Sequence, residues 1–375
     1  MDSRKNPSYA EFNANDSKYV ARLAEKLKTI KNNGDILKNY LCKAAVAAAV
    51  ATLASAAQAQ TSVNVFGLLD VSLKSVNTGG VSAVQMATDG MLNSRLGFRA
   101  DEDLGDGMKA GVWMEMAPMA DSGNMYPSGK LWHRRSTVSL SGGFGELRLG
   151  RDLNPTFYNL CGFDPFTAVG VGAGFNLITN LGSGAATLLR TDNAVSYFLP
   201  PDLGGWYGQV QVAPGEGVAG NRYGGLRIGY QKGPWNTAFA YARTGTASGD
   251  DFKLANAGAS YDAGVVKLMV LLNSAEYGAL KQTNWELGAS MPVGARGLVR
   301  ASYQRANPSG AGTDANSARQ AAIGYVYTLS RRTSLYATYS HLSNSGAAAF
   351  KVGTPPNAVA GARSSGFELG VMHSF

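Results

Sequence analysis

From residue 60 to the end of the chain, apolar and polar positions alternate in short runs, and each run stops at Gly, Pro, Asn, Asp or Ser. Side chains of a β-strand point to opposite faces in turn, so this period of two predicts strands that bury or shield one face. The pattern places strands at 61–76, 93–103, 107–119, 132–141, 144–152, 191–199, 205–213, 222–232, 235–245, 252–262, 264–277, 282–292, 297–306, 318–329, 332–343 and 364–375. No stretch in this region has convincing helical periodicity. In the last strand Phe367, Leu369, Val371 and Phe375 share one parity, against Gly366, Glu368, Gly370 and Ser374 on the other. Leu96, Phe98 and Ala100 oppose Arg95, Gly97 and Arg99; Val299, Ala301 and Tyr303 oppose Arg300, Ser302 and Gln304.

Gaps between the strands alternate in length. Short gaps include 103–107, 141–143, 232–234 and 294–297; long ones, rich in Gly, Ser, Ala and Asn, are 77–92, 120–131, 153–190, 307–317 and 344–363. Short turns on one rim and long loops on the other describe a closed antiparallel barrel threaded through an outer membrane. Alternation alone does not separate such a barrel from a soluble one. The strand number does, because a closed barrel of sixteen strands is too wide to fill with side chains and holds water instead. The expected fold is therefore all-β: a 16-stranded antiparallel transmembrane β-barrel with long extracellular loops and short periplasmic turns.

Composition agrees. Of 375 residues, 47 are Gly and 17 are Tyr, and only 16% are charged, against a usual ~25%. Tight turns and short amphipathic strands need such a mixture. Residues 43–59, KAAVAAAVATLASAAQA, combine a basic flank, an apolar core from Ala44 to Leu53 and the small-x-small triplet Ala57-Gln58-Ala59. This is an export signal, cleaved after Ala59 to leave Gln60 as the mature N-terminus. Cys42 precedes the apolar core, so it is not a lipid attachment site. The polar segment 1–42 is far longer than the usual basic flank of a signal and is expected to be a start assigned too far upstream, or else a real extension with a targeting role; either way it is expected to be absent with the signal from the mature domain 60–375.

The formal net charge is +8, and residues 1–59 account for 9 of the basic and 5 of the acidic residues. The remainder is only mildly basic and carries no basic cluster interleaved with aromatics, so nucleic acid is not an expected partner. Of three His residues (His133, His341, His373) none stands at metal-ligand spacing, and no Ser lies in a nucleophile elbow. The chain is not expected to be an enzyme, and no metal or cofactor is expected. Trp113, Trp132, Trp206, Trp235 and Trp285 are expected at the rims or in the aromatic girdles.

The segments SVNVFGLLDVSLK, SRLGFRADEDLGDGMKAGVWMEM, STVSLSGGFGELRLGRD, RTDNAVSYFLPPDLGGWYGQVQV and GFELGVMHSF, in this order, resemble general porins of Gram-negative bacteria, and most closely the betaproteobacterial branch. The resemblance covers 60–375. It implies a homotrimer in the cell outer membrane, in contact with lipid and lipopolysaccharide and assembled by the barrel-assembly machinery. It implies passive diffusion of ions and small hydrophilic solutes. A channel selective for a sugar or an organic acid, or a barrel serving adhesion, is the alternative. Loop 153–190 matches the family's constriction loop. Arg95, Arg134 and Arg190 match its basic wall across the pore, Arg151 an arginine of its subunit interface, and Phe375 its assembly signal. Strict alternation with Val138 and Leu140 would turn Arg135 inward in place of Arg134. Subunit contact is further expected from outward faces near 61–76 and 132–152, which read as weakly apolar. The loop is apolar and Gly-rich, offering mainly Asp164, with Asp192 at the next strand. Three arginines facing one carboxylate imply a weak to moderate preference for anions.

Overall fold

The computed structural model of the protein describes residues 62–127 and 129–375. The expected cleavage point at Ala59 and Gln60, the signal and the N-terminal extension lie outside the described residues. The strands are β1 (Ser62–Thr78), β2 (Val81–Thr88), β3 (Arg95–Gly105), β4 (Met108–Met116), β5 (Arg135–Gly142), β6 (Gly145–Leu153), β7 (Arg190–Phe198), β8 (Trp206–Ala213), β9 (Tyr223–Lys232), β10 (Trp235–Gly245), β11 (Asp251–Asp262), β12 (Lys267–Tyr277), β13 (Leu280–Val293), β14 (Gly297–Ser309), β15 (Ala318–Thr328), β16 (Thr333–Asn344) and β17 (Arg363–Ser374). From β3 onward each strand pairs antiparallel with the next, and β17 returns to β1, from Leu68 opposite Ser374 to Thr78 opposite Ser364. The sheet is closed, which leaves no edge to pair with another chain.

Among the described residues, seventeen segments make sixteen staves. β2 and β3 lie end to end along the same side of β1: Thr88 opposes Val71 and Arg95 opposes Leu68. The residues between them, 89–94, leave the sheet. The expected long loop at 77–92 is thus not a loop. It is a two-residue turn at Gly79-Gly80, a strand, and an excursion that alternation could not reveal. Asp70 fixes the excursion: the amides of Met91 and Leu92 donate to its carboxylate at 2.8 and 2.7 Å, and the Tyr336 hydroxyl donates to it as well. The segment folds over the inner wall, where Met91 packs with Val326 and Tyr336.

The loops after β4, β6, β8, β14 and β16 gather on one rim, together with the two-residue turns 79–80 and 278–279, and the turns 106–107, 143–144, 233–234, 263–266 and 294–296 share the other rim with the chain's C-terminus. Between the rims the outward residues are apolar: Leu73, Leu272, Leu287, Ile323 and Leu369 are each more than half exposed. In water such a band would be a severe liability; in lipid it is the solvent-facing surface. Rings flank it, with Trp206 against Tyr230 and Trp235 against Tyr261 on the turn side, and Trp285 against Tyr303 on the loop side. Two expectations change here. The outward faces of β1 and β5–β6 are not weakly apolar, since Val63, Val65, Leu73, Val138 and Leu149 all stand exposed on them. Trp113 is not a girdle residue. It shares parity with Glu115 on the inner face, where the Arg135 guanidinium lies 4.1 Å over its ring. At the seam, the Phe375 amide donates to the Gly67 carbonyl at 3.0 Å. The ring covers Gly67 so closely that a Cβ there would lie 2.5 Å from it.

Candidate functional site

The loop after β6 determines the pore. It opens with a helix, α1 (Pro155–Phe163), which the strand pattern had not suggested. Asn154 caps it by accepting from the Phe157 amide at 2.8 Å, and Pro155 sits in the first turn, where its missing N–H costs nothing. The helix packs on the inner wall: Leu160 and Phe163 bury against Ala238 and Leu271, and Asn159 donates to Asn256 Oδ1 at 2.9 Å. The wall is cut to receive the loop. Gly258 leaves the space filled by the Phe163 ring, and a Cβ there would stand 2.1 Å from it; Gly366 does the same for Val171 at 2.8 Å. Further along, Gln282 and Asn284 donate to the Leu177 carbonyl at 2.7 and 2.8 Å, and Gln304 to the Ala173 carbonyl at 3.1 Å. The loop therefore lines β9–β17 from within and narrows the lumen to the side left open, that of β3–β7.

That open side is basic. Arg95 begins β3 and its Nε donates to the Asn93 carbonyl at 3.0 Å, so the excursion at 89–94 aims it. Arg134 precedes β5. It is therefore free of the strand's alternation, and its guanidinium pairs with Glu115 on the inner face of β4. Arg135 also turns inward, onto Trp113 and 4.0 Å from Asp152. Both side chains of that dipeptide thus reach partners on the inner face. Arg190 donates through Nε to the Arg134 carbonyl at 2.9 Å and forms no ion pair among the described residues. Arg134, Arg151 and Arg190 line a recess of about 250 Å³ together with Asp89, Tyr126 and His133. Burial and the surrounding Arg151, Arg190, Lys130 and Arg134 push the His133 imidazole down to about 4.

Glu115 was missed by sequence reasoning. It lies 3.9 Å from Arg95 and pairs with Arg134, so the cluster holds this carboxylate among its three arginines, with Asp89 beside them in the recess. Its parity with Trp113, opposite the outward Val112, is the signal that could have found it. Arg151 is tied to Asp192 at 2.6 Å and to the His133 carbonyl at 2.5 Å. Asp192 also receives Lys130 at 2.8 Å, so it belongs to this outer bridge and not to the constriction loop.

Asp164 stands differently from its expected place. It does not face the arginines across the lumen. Its side chain is 2% exposed and accepts the amides of Phe166, Ala168 and Gly174 at 2.7, 2.9 and 2.8 Å. A loop of this length must satisfy its own buried amides, and this carboxylate does so. Burial still pushes its carboxyl above the usual range, against those three bonds. It is the one acid of residues 154–189, which contain no Lys or Arg, so the loop turns no formal charge toward the pore. Cys161, on α1, has its thiol pushed up to about 12 by burial, which removes it as a nucleophile.

The sequence profile of Gram-negative porins matches residues 44–347. The chain is 38% identical to outer membrane porin protein 32 of Delftia acidovorans, over 89% of this chain and 99% of that one. Its structure superposes on an anion-selective porin from Comamonas acidovorans with a TM-score of 0.76 at 35% identity, covering 84% of this chain and all of that one. A trimeric form of OmpT from Vibrio cholerae aligns with a TM-score of 0.63 at 16% identity, over 84% and 99%, a likeness of fold alone.

Proposed function

The chain belongs to the Gram-negative porin family, and from that premise we propose that its outer-membrane pore passes small hydrophilic solutes with a weak to moderate preference for anions. The observation that supports this reading is the unequal charge of the two sides of the waist. Arg95, Arg134 and Arg190 stand on one side with Glu115 among them and Asp89 beside them, and the facing loop has its single carboxylate sequestered. At about 4 Å a unit charge interacts with a passing ion by roughly 1 kcal/mol in bulk water and 4 kcal/mol near a protein surface. A surplus of positive charge of that strength biases the ions that enter. Its reach at ~0.15 M salt is about 8 Å, so the bias weakens as salt rises. The anion selectivity of the Comamonas relative supports the sign. The reversal potential of refolded 60–375 in a planar bilayer under a KCl gradient is the test: anion preference is expected, and a cation-selective pore sinks the proposal.

The remaining assignments are proposals of the same reading. Cleavage after Ala59 yields a mature chain beginning at Gln60. Phe375 is the assembly signal, consistent with its exposed ring on the outer face. Arg151 acts at the subunit contact of a homotrimer. Asp192 and the His133 carbonyl hold it rigid at the loop rim.

A further inference from the structure

Below α1, toward the turn rim, the constriction loop leaves part of the inner wall uncovered. A cleft of about 670 Å³ opens there between α1 and the connection 199–205, a volume within the usual range of small-molecule sites. The connection is tied to the rim: the Leu199 amide donates to the Gly208 carbonyl at 3.0 Å, and the Gln231 amide to the Gly205 carbonyl at 2.9 Å. One cross-strand row forms the back of the cleft. Phe198 opposes Gln209, and Gln209 opposes Arg227, on β7, β8 and β9. Directly opposed residues hold their Cβ atoms about 5 Å apart, so these three side chains converge on one small area.

Two of them keep unused bonding capacity. Arg227 forms no ion pair among the described residues. Its Nε donates to Asn159 Oδ1 at 3.1 Å, and its guanidinium lies 4.8 Å from the centre of the Tyr207 ring. The Tyr207 hydroxyl donates in turn to Asn236 Oδ1 at 2.6 Å. These partners are neutral, so they aim the guanidinium without cancelling its charge. Gln209 is only 4% exposed, and its Nε2 has no hydrogen-bond partner among the described residues. A buried donor left so is unfavourable, and an acceptor lodged in the cleft would satisfy it.

No Asp or Glu lines the cleft. Glu146, the next residue of the row beyond Phe198, is held by Arg148 at 2.9 Å. Lys232 at the lip adds a second positive charge. Tyr158, Phe198, Pro200, Pro201 and Tyr207 supply flat apolar lining. Tyr158 and Phe198 stand edge to face with ring centroids 6.4 Å apart, an angled wall that suits a planar ring better than a flexible chain.

We propose that this cleft binds monoanionic aromatic carboxylates. The carboxylate takes hydrogen bonds from the Arg227 guanidinium and from Gln209 Nε2, and the ring lies against Phe198 and Tyr158. The site is on the turn side of the waist, and none of Arg95, Arg134 and Arg190 lines it. The inference rests on the barrel being a pore, but not on the charge of its waist. Its test reads ligand affinity, and the test of ion preference reads a reversal potential, so either can fail alone.

The experiment is a saturation-transfer NMR titration of the full barrel 60–375 in detergent, with benzoate, cyclohexanecarboxylate, acetate and neutral benzamide as probes. Benzoate is expected to bind about threefold more tightly than cyclohexanecarboxylate and roughly tenfold more tightly than acetate or benzamide. Arg227→Gln removes the charge-assisted bonds and should weaken benzoate roughly tenfold or more; Gln209→Leu removes one neutral donor and should weaken it about fivefold. Arg95→Ala with Arg190→Ala should leave benzoate within a factor of about two, since charges outside the cleft are screened over roughly 8 Å at physiological salt. Acetate or benzamide binding as tightly as benzoate would overturn the site. So would unchanged benzoate affinity in Arg227→Gln, or a larger loss from the waist pair than from Arg227→Gln. Heat-modified gel mobility establishes that each variant has closed its barrel. Should Arg227→Gln unseat α1 by releasing Asn159, Gln209→Leu carries the same prediction, since Gln209 Nε2 makes no bond in the fold; unchanged affinity there overturns the proposal.

Discussion

The two inner walls of this barrel treat charge in opposite ways. On the side of β9–β17 the wall is sealed by the loop, and its ionisable groups lie beneath the loop: Glu368 is fully buried, accepts the Val171 amide at 3.2 Å and stands 3.7 Å from Lys74, while Arg300 stacks 4.8 Å from the Phe166 ring. On the side of β3–β7 no loop covers the wall: Arg95 is the most open of the three arginines, while Arg134 and Arg190 are packed among their own neighbours. The comparison shows that a formal charge in a pore protein is not a pore charge. A carboxylate saturated by backbone amides holds a loop in shape, whereas a guanidinium with one shared acid presents its surplus to the water column.

The largest effect is expected from removing that surplus. Arg95→Ala combined with Arg190→Ala should cut the anion-to-cation permeability ratio several-fold; an unchanged reversal potential would show that these arginines do not set selectivity. The sealed side should respond in pore size instead. Gly258→Val places methyl groups into the Phe163 ring, an overpacking cost of about 1–3 kcal/mol, and should unseat α1 and give larger, noisier single-channel currents. Wild-type conductance in that variant would mean the loop is held without this socket. Asp164→Asn should leave the reversal potential at its wild-type value, because the group is out of the ion path. Yet it weakens three amide bonds, at about 1–3 kcal/mol, so faster hydrogen exchange at Phe166, Ala168 and Gly174 is the readout. A selectivity shift as large as that of the arginine pair would return Asp164 to the lumen.

The smallest effect concerns the recess above the basic wall. His133 is neutral in the fold down to about pH 4, whereas in the unfolded chain it takes up a proton near pH 6.5. The unfolded state thus binds more protons between those values, and stability falls as pH drops from about 6.5 to 4, with no further contribution below. His133→Gln should lose less thermal stability than the wild type between pH 7 and pH 4.5. Identical losses would place the acid sensitivity in other groups. The half-buried ring keeps this contribution small.

Strand positions were legible in the sequence because a wall with lipid on one side and water on the other imposes a period of two on every stave, and the predicted run at 235–245 coincides with β10. The loop rim, the turn rim and the outward set in β17 follow from that same local rule. Arg95, Arg134 and Arg190 came from resemblance, since parity cannot govern a residue such as Arg134 that lies ahead of its strand. What tertiary structure alone decided are the contacts between segments far apart in the chain. Asp70 draws the amides of Met91 and Leu92 inward, Gly258 and Gly366 accommodate Phe163 and Val171, and Glu115 enters the arginine cluster. The fate of Asp164 belongs with these. One carboxylate in an apolar loop reads as a charge across the pore, until the fold of that loop supplies three amides that need an acceptor more than the water column needs an anion. The charge of a side chain is written in the sequence; whether it is solvated or consumed by backbone donors depends on how the chain packs around it.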